Sequence, residues 1–183
     1  VWARTQEARA LLGVMPDGMR LLDRLSGPDF LVHVGMLHGL DASVARERAH
    51  ELLAALDLAE AGKKLISDYS AGMTKKIALA AALIHSPRVL VLDEPFEAVD
   101  PVSATNIRQI LTDYTKRGGT VILSSHVMAT VQQLCTHVAI IDKGRVLVAG
   151  TTDEVAQGGD LGERFTSLVG GVHSEEGLSW LGN

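Results

Sequence analysis

The run Arg88-Val89-Leu90-Val91-Leu92-Asp93-Glu94-Pro95 decides the fold. Four consecutive apolar residues, two of them β-branched, predict a strand buried on both faces. Asp93 and Glu94 follow at once, where such a strand leaves its sheet. Adjacent acids have no packing use at the end of an apolar strand. They do suit phosphate and metal chemistry, where one carboxylate holds Mg²⁺ and the other orients or deprotonates a water.

Upstream, Tyr69-Ser70-Ala71-Gly72-Met73 places a Ser-x-Gly turn at the start of a helical run through Ile77, Leu79, Ala80, Leu83 and Ile84, which Pro87 ends. Further upstream, Ala10–Met15 reads as a buried strand after an incoming strand or turn, and Pro16-Asp17-Gly18 breaks it. Ser26, with Asp29 three residues on, marks the start of a helix that stops at Gly39. A second helix begins near Asp41 or Ser43 and is punctuated by Gly62. Downstream, Asp100-Pro101 caps a helix that Gly118-Gly119 closes. Thr120–Leu123 is the next strand, and a short helix through Val131 and Leu134 comes after it. Val138–Ile141 and Val146–Ala149 flank the turn Asp142-Lys143-Gly144-Arg145, a hairpin signal. Thr151–Gln157 reads as a short capped helix, Leu161–Val169 as a second amphipathic segment, and the Gly- and Ser-rich end as a loosely packed tail that docks or pairs through Trp180. Strand alternating with helix is the pattern of an α/β fold.

A chain of 183 residues suffices for one sizeable core. A formal net charge of −5 excludes a basic nucleic-acid footprint. Lys63-Lys64, Lys75-Lys76 and Lys116-Arg117 are isolated pairs, expected at solvated helix ends. Cys135 is the single cysteine, so no internal disulfide can form, and its setting predicts the buried side of a helix. No apolar run is long enough to span a bilayer, which points to a cytoplasmic location. His33, His38, His85 and His137 show no metal-ligand spacing and are expected to be surface or packing residues.

The order of Tyr69-Ser70-Ala71-Gly72-Met73, Leu90-Val91-Leu92-Asp93-Glu94-Pro95, Ala98-Val99-Asp100-Pro101 and Ser124-Ser125-His126 resembles the ATP-binding subunits of ABC transporters. The resemblance implies an α/β P-loop NTPase fold with a helical subdomain. Residues 1–150 would form the C-terminal portion of an ABC ATPase domain, with 13–87 as Q-loop and helical subdomain and 88–150 carrying Walker B, D-loop and switch histidine. Residues 151–183 would be a tail. The chain contains no G-x-x-x-x-G-K-S/T phosphate loop, so it is expected to continue a longer domain whose upstream part carries that loop.

The resemblance also implies roles. Asp93 would position Mg²⁺ and Glu94 would polarise the water that attacks ATP, while His126 would touch the γ-phosphate and steady Glu94. Ser70, Ala71 and Gly72 form the signature turn, which would face ATP held by a second ATPase subunit, identical or not. Asp100 is the D-loop acid. Asp17 stands where the family carries a Q-loop Gln; a plain Pro-Asp-Gly turn explains it equally well. Ala71 and Met73 replace the usual Gly and Gln. Ala71 still allows close approach, and Met73 removes a polar contact. Transmembrane permease subunits would hold the protein on the inner face of the cell membrane. Gly35–Leu40 and Leu178–Leu181 are more similar to drug exporters than to importers. The alternative is a fragment that cannot hydrolyse ATP and only binds a partner subunit.

Overall fold

In the computed structural model, which describes residues 4–170, the chain forms two compact units, Val1–Ser125 and His126–Asn183. The first is built on three parallel strands, β1 (Leu12–Met15), β2 (Val89–Asp93) and β3 (Thr120–Ser124), in that spatial order. Gly13 pairs with Leu90, Met15 with Leu92, and Leu92 with Leu123. Residues 5–9, expected as an incoming strand or turn, and Ala10 and Leu11, expected in the strand, form helix α1 (Thr5–Leu11), so β1 begins only at Leu12. Ala, Gln, Glu, Arg and Leu are good helix formers, and strand pairing starts where Leu12 meets Val89.

The crossover from β1 to β2 carries three helices, α2 (Gly27–Leu37), α3 (Ala42–Ala55) and α4 (Ala71–Leu83). Ser26 caps α2 by accepting from the Asp29 amide. At its other end Gly39 takes φ +85°, and the amides of Leu40 and Gly39 return to the carbonyls of Gly35 and Met36, a Schellman ending. The second helix stops well before Gly62. Asp57 adopts the left-handed conformation at φ 55°, with Leu58 N–H on the Leu53 carbonyl and Asp57 N–H on that of Ala54. An aspartate thus makes the kind of ending that glycine makes for α2. Lys75 and Lys76 lie within α4 and not at a solvated end; Lys76 is 6% exposed.

The crossover from β2 to β3 is a single helix, α5 (Pro101–Lys116), which turns Ser103, Ile107 and Leu111 inward. Strand β2 is fully covered on one side only. Leu90 and Leu92 are 0% and 1% exposed, whereas Val89 and Val91 on the other face are half-buried. The expectation of burial on both faces therefore fails: Val14 and Ile122, which flank Val91 in register, are 51% and 57% exposed.

The second unit packs α6 (Met128–Leu134), the hairpin β4 (His137–Asp142) and β5 (Arg145–Thr151), α7 (Thr152–Ala156) and α8 (Leu161–Val169). The hairpin turns through Lys143 and Gly144, both at positive φ, as the sequence signal requires. Thr151 and Glu154 form a capping box at α7. Val131, Ile140, Val155, Ala156 and Leu161 make its core. Cys135 lies just past α6 in extended backbone, half-buried and not on the helix itself. Burial pushes its thiol up, away from nucleophilic use. Trp180 and the rest of the expected tail from 171 onward lie outside the described residues.

Candidate functional site

Strand β2 delivers Asp93 and Glu94 to the sheet's C-terminal edge, where ligands of parallel α/β sheets bind. The Asp93 carboxylate accepts from the Ser124 hydroxyl, one strand away, and from the Asp17 amide at 3.4 Å. Three loops thus meet on one carboxylate: the turn after β1, the turn after β2 and the end of β3. Glu94 takes a left-handed backbone, φ 45°, which is uncommon for a residue with a side chain. Its N–H donates to Ser124 Oγ at 3.1 Å, and its carbonyl accepts from Lys75 Nζ at 2.9 Å.

Lys75 Nζ also lies 2.9 Å from Asp17 Oδ1. The hydrogen bond from Lys75, then that from the Gly18 amide and the lysine's charge, hold the Asp17 carboxyl below its ordinary range. Asp17 therefore does more than make a turn: its amide reaches Asp93 and its carboxylate reaches α4.

The N-termini of α4 and α5 make a second group. Ser70 caps α4, its hydroxyl oxygen accepting from Met73 N–H at 3.3 Å. Asp100 caps α5 through the amides of Ser103 and Val102; the bond from the Ser103 amide, then that from the Ser103 hydroxyl and that from the Val102 amide, lower its pKa. The two ends lie side by side: a Cβ on Gly72 would stand 3.2 Å from Asp100 Oδ2 and 3.6 Å from Ser103 Oγ. Glycine is the residue that lets these termini approach without pressing on the Asp100 carboxylate. Ala71, in contrast, is exposed.

Asp17, Asp93 and Glu94 are thus brought together, as are Gly72 and Asp100. Ser124 and Lys75 join the first group although the motifs gave them no role, and Ser103 joins the second. Helical spacing from Ser70 could have flagged Lys75 only if its partner 58 residues upstream were known. His126 follows β3 by two residues as the exposed first residue of the second unit.

Among the described residues no cluster of three or more His, Cys, Asp or Glu could hold a metal by itself. Mg²⁺ does not require one, since it commonly takes one or two carboxylates and completes its shell with waters and substrate phosphates. Asp93, exposed and already oriented by Ser124, is a donor of that kind.

Residues 3–97 match the family model described as ABC transporter. The chain belongs to the ABC transporter family. Over 158 residues it is 35% identical to the linearmycin resistance ATP-binding protein LnrL of Bacillus subtilis (strain 168), covering 85% of this chain and 51% of that protein. Over 154 residues it is 38% identical to the daunorubicin resistance ATP-binding protein DrrA3 of Streptomyces coeruleorubidus, covering 83% and 49%. The chain therefore spans about half the length of these ABC relatives. A solved structure titled as the ATP binding subunit of an ABC transporter superposes at a TM-score of 0.82 over 91% of this chain and 72% of the other, at 24% identity, and shares the fold. The architecture is that of the α/β P-loop ABC ATPases. No helix among the described residues is long and apolar enough to cross a membrane.

Proposed function

We propose that this chain is part of an ATP-hydrolysing subunit that drives export through a membrane permease. The observation that carries the proposal is the turn after β2, where Asp93 and Glu94 follow one another at the sheet edge, the Asp93 carboxylate held from β3 and the Glu94 backbone from β3 and α4. Family membership supports ATP as the substrate. The resistance names of the relatives support outward transport.

In this reading Asp93 would hold Mg²⁺ through a bound water. Mg²⁺ when bound supplies charge neutralisation on the phosphate oxygens. Glu94 orients the attacking water and accepts its proton, and His126 contacts the transferred phosphate. The turn Ser70-Ala71-Gly72 presents the α4 N-terminus to a nucleotide held by a second subunit, with Asp100 beside it. Segment 13–87 acts as the helical subdomain, 88–150 as the catalytic part and 151–183 as a tail. Two permease subunits hold the assembly at the inner membrane face.

Glu94→Gln in the full-length protein keeps the side-chain shape and removes the base. ATP turnover is expected to fall by about 10²- to 10⁴-fold, with nucleotide binding retained. A loss of less than tenfold would show that Glu94 is not the principal catalytic carboxylate.

A further inference from the structure

Lys75 belongs to none of the family's motif residues named above, yet it is the side chain through which three separate segments meet. Its ammonium lies 2.9 Å from Asp17 Oδ1 and 2.9 Å from the Glu94 carbonyl oxygen. The lysine side chain is 17% exposed and that of Asp17 48%, so the contact to the Glu94 carbonyl is the more sheltered of the two, and both are charge-assisted.

Glu94 is the reason this matters. Its backbone is left-handed, a conformation that costs a residue with a Cβ and persists only where its surroundings hold it. Both of its peptide groups are held. Ser124 Oγ takes the N–H, and Lys75 Nζ reaches the carbonyl, which also accepts from Glu97 N–H at 3.2 Å. The carbonyl side is tied to the helix that starts at the signature turn. A small displacement of α4 or of the Asp17 turn would be transmitted to the backbone that aims the Glu94 carboxylate.

We propose that Lys75 is a positioning residue: bridging the Asp17 carboxylate and the Glu94 carbonyl, it fixes the backbone from which Glu94 acts. The proposal rests on the reading of Glu94 as the catalytic carboxylate. Asp17 then serves as the lysine's anchor. This gives an acid at the Q-loop position a use that a glutamine could not fill, because an amide carries no charge to pair with the ammonium.

The test uses Lys75→Met, Lys75→Arg, Asp17→Asn and the double variant Lys75→Met/Asp17→Asn in the full-length protein, with two readouts. The first is amide exchange of Glu97, whose N–H shares the Glu94 carbonyl with Lys75. Lys75→Met is expected to speed exchange about tenfold, the scale of one hydrogen bond to a charged group, with Lys75→Arg restoring protection. The second is the split of kcat against KM for ATP. Lys75→Met is expected to lower kcat by on the order of 10- to 100-fold, as a small misplacement of a catalytic group does, with KM little changed. Lys75→Arg should recover most of the rate, and adding Asp17→Asn to Lys75→Met should cost little more than Lys75→Met alone. Unchanged Glu97 exchange in Lys75→Met, or kcat losses that simply multiply in the double variant, would overturn the proposal. So would a kcat that arginine does not restore. If the unsubstituted protein does not hydrolyse ATP, the ATPase reading fails, while the exchange measurement still decides whether Lys75 holds the Glu94 turn.

Discussion

The two faces of the three-stranded sheet come from the same strands yet lie in opposite environments. One face carries Gly13 and Met15, Leu90 and Leu92, Val121 and Leu123, and its centre is closed to water. It is closed tightly enough that a Cβ on Gly13 would stand 2.2 Å from the Ala82 carbonyl oxygen of α4. The other face carries Val14, Val91 and Ile122 in one row, and two of these three are more than half exposed. Hydrophobicity is alike on both sides. What differs is whether a helix crosses over the strand, so a run of apolar residues reports the capacity to be buried and not the burial itself.

The largest expected effect contrasts the two faces directly. Leu90→Ala should destabilise the chain by about 2–5 kcal/mol, the range for emptying a packed site. Ile122→Thr, which keeps a β-branched side chain, should stay within about 0.5 kcal/mol. Urea unfolding decides, and equal costs would break the contrast. Gly13→Ala comes next at about 1–3 kcal/mol, because the atom it meets belongs to helix backbone and cannot swing aside. A neutral Gly13→Ala would mean that the α4–β1 seam is looser than it stands here.

A smaller effect concerns solubility. A row of exposed valine and isoleucine invites association, so concentration-dependent light scattering should weaken in Ile122→Thr without a loss of stability. If it does not, association runs through another surface.

The smallest effect is a pH dependence at the seam between the helices and the covered face. His38, at the end of α2, stacks on His85 with ring centroids 3.7 Å apart, and His85 Nε2 contacts the Leu12 carbonyl of β1 at 3.0 Å. Burial lowers both pKa values below 6.5; for His85 the nearby charges of His38 and Arg48 act in the same direction, against the Leu12 bond. The folded state therefore binds fewer protons than the unfolded chain. The contribution is fully present above the ordinary value and is lost as pH falls from about 6.5 through the lowered values. The urea midpoint should drop on acidification, and His38→Leu should flatten that slope between pH 7 and 5; an unchanged slope would place the titration elsewhere.

Much of the site was legible because its signals are local. Ser26, Ser70 and Asp100 cap helices through amides two or three residues away, and Lys143-Gly144 turns a hairpin on its own backbone preference. Asp93 and Glu94 announce themselves as acids at the end of an apolar run. The misreadings have equally definite causes. Residues 5–11 read as an incoming strand or turn running into a strand, yet their side chains favour helix. A helix was expected to last until Gly62, yet Asp57 ended it by taking the conformation usually left to glycine. Lys75 and Lys76 looked like a solvated pair because nothing nearby in sequence binds them.

By itself, then, the sequence determined the order of strands and helices after α1, most of their caps and turns, and the acid pair at the end of β2. Those features are settled by side chains acting on backbone within one helical turn or by an unbroken apolar run. Only the tertiary structure decided which face of the sheet meets α4 at β1, that Lys75 reaches Asp17 across 58 residues, and that Glu94 is held from both sides in a left-handed turn. Those depend on which segments the parallel crossovers bring to one sheet edge, and no local spacing encodes that proximity.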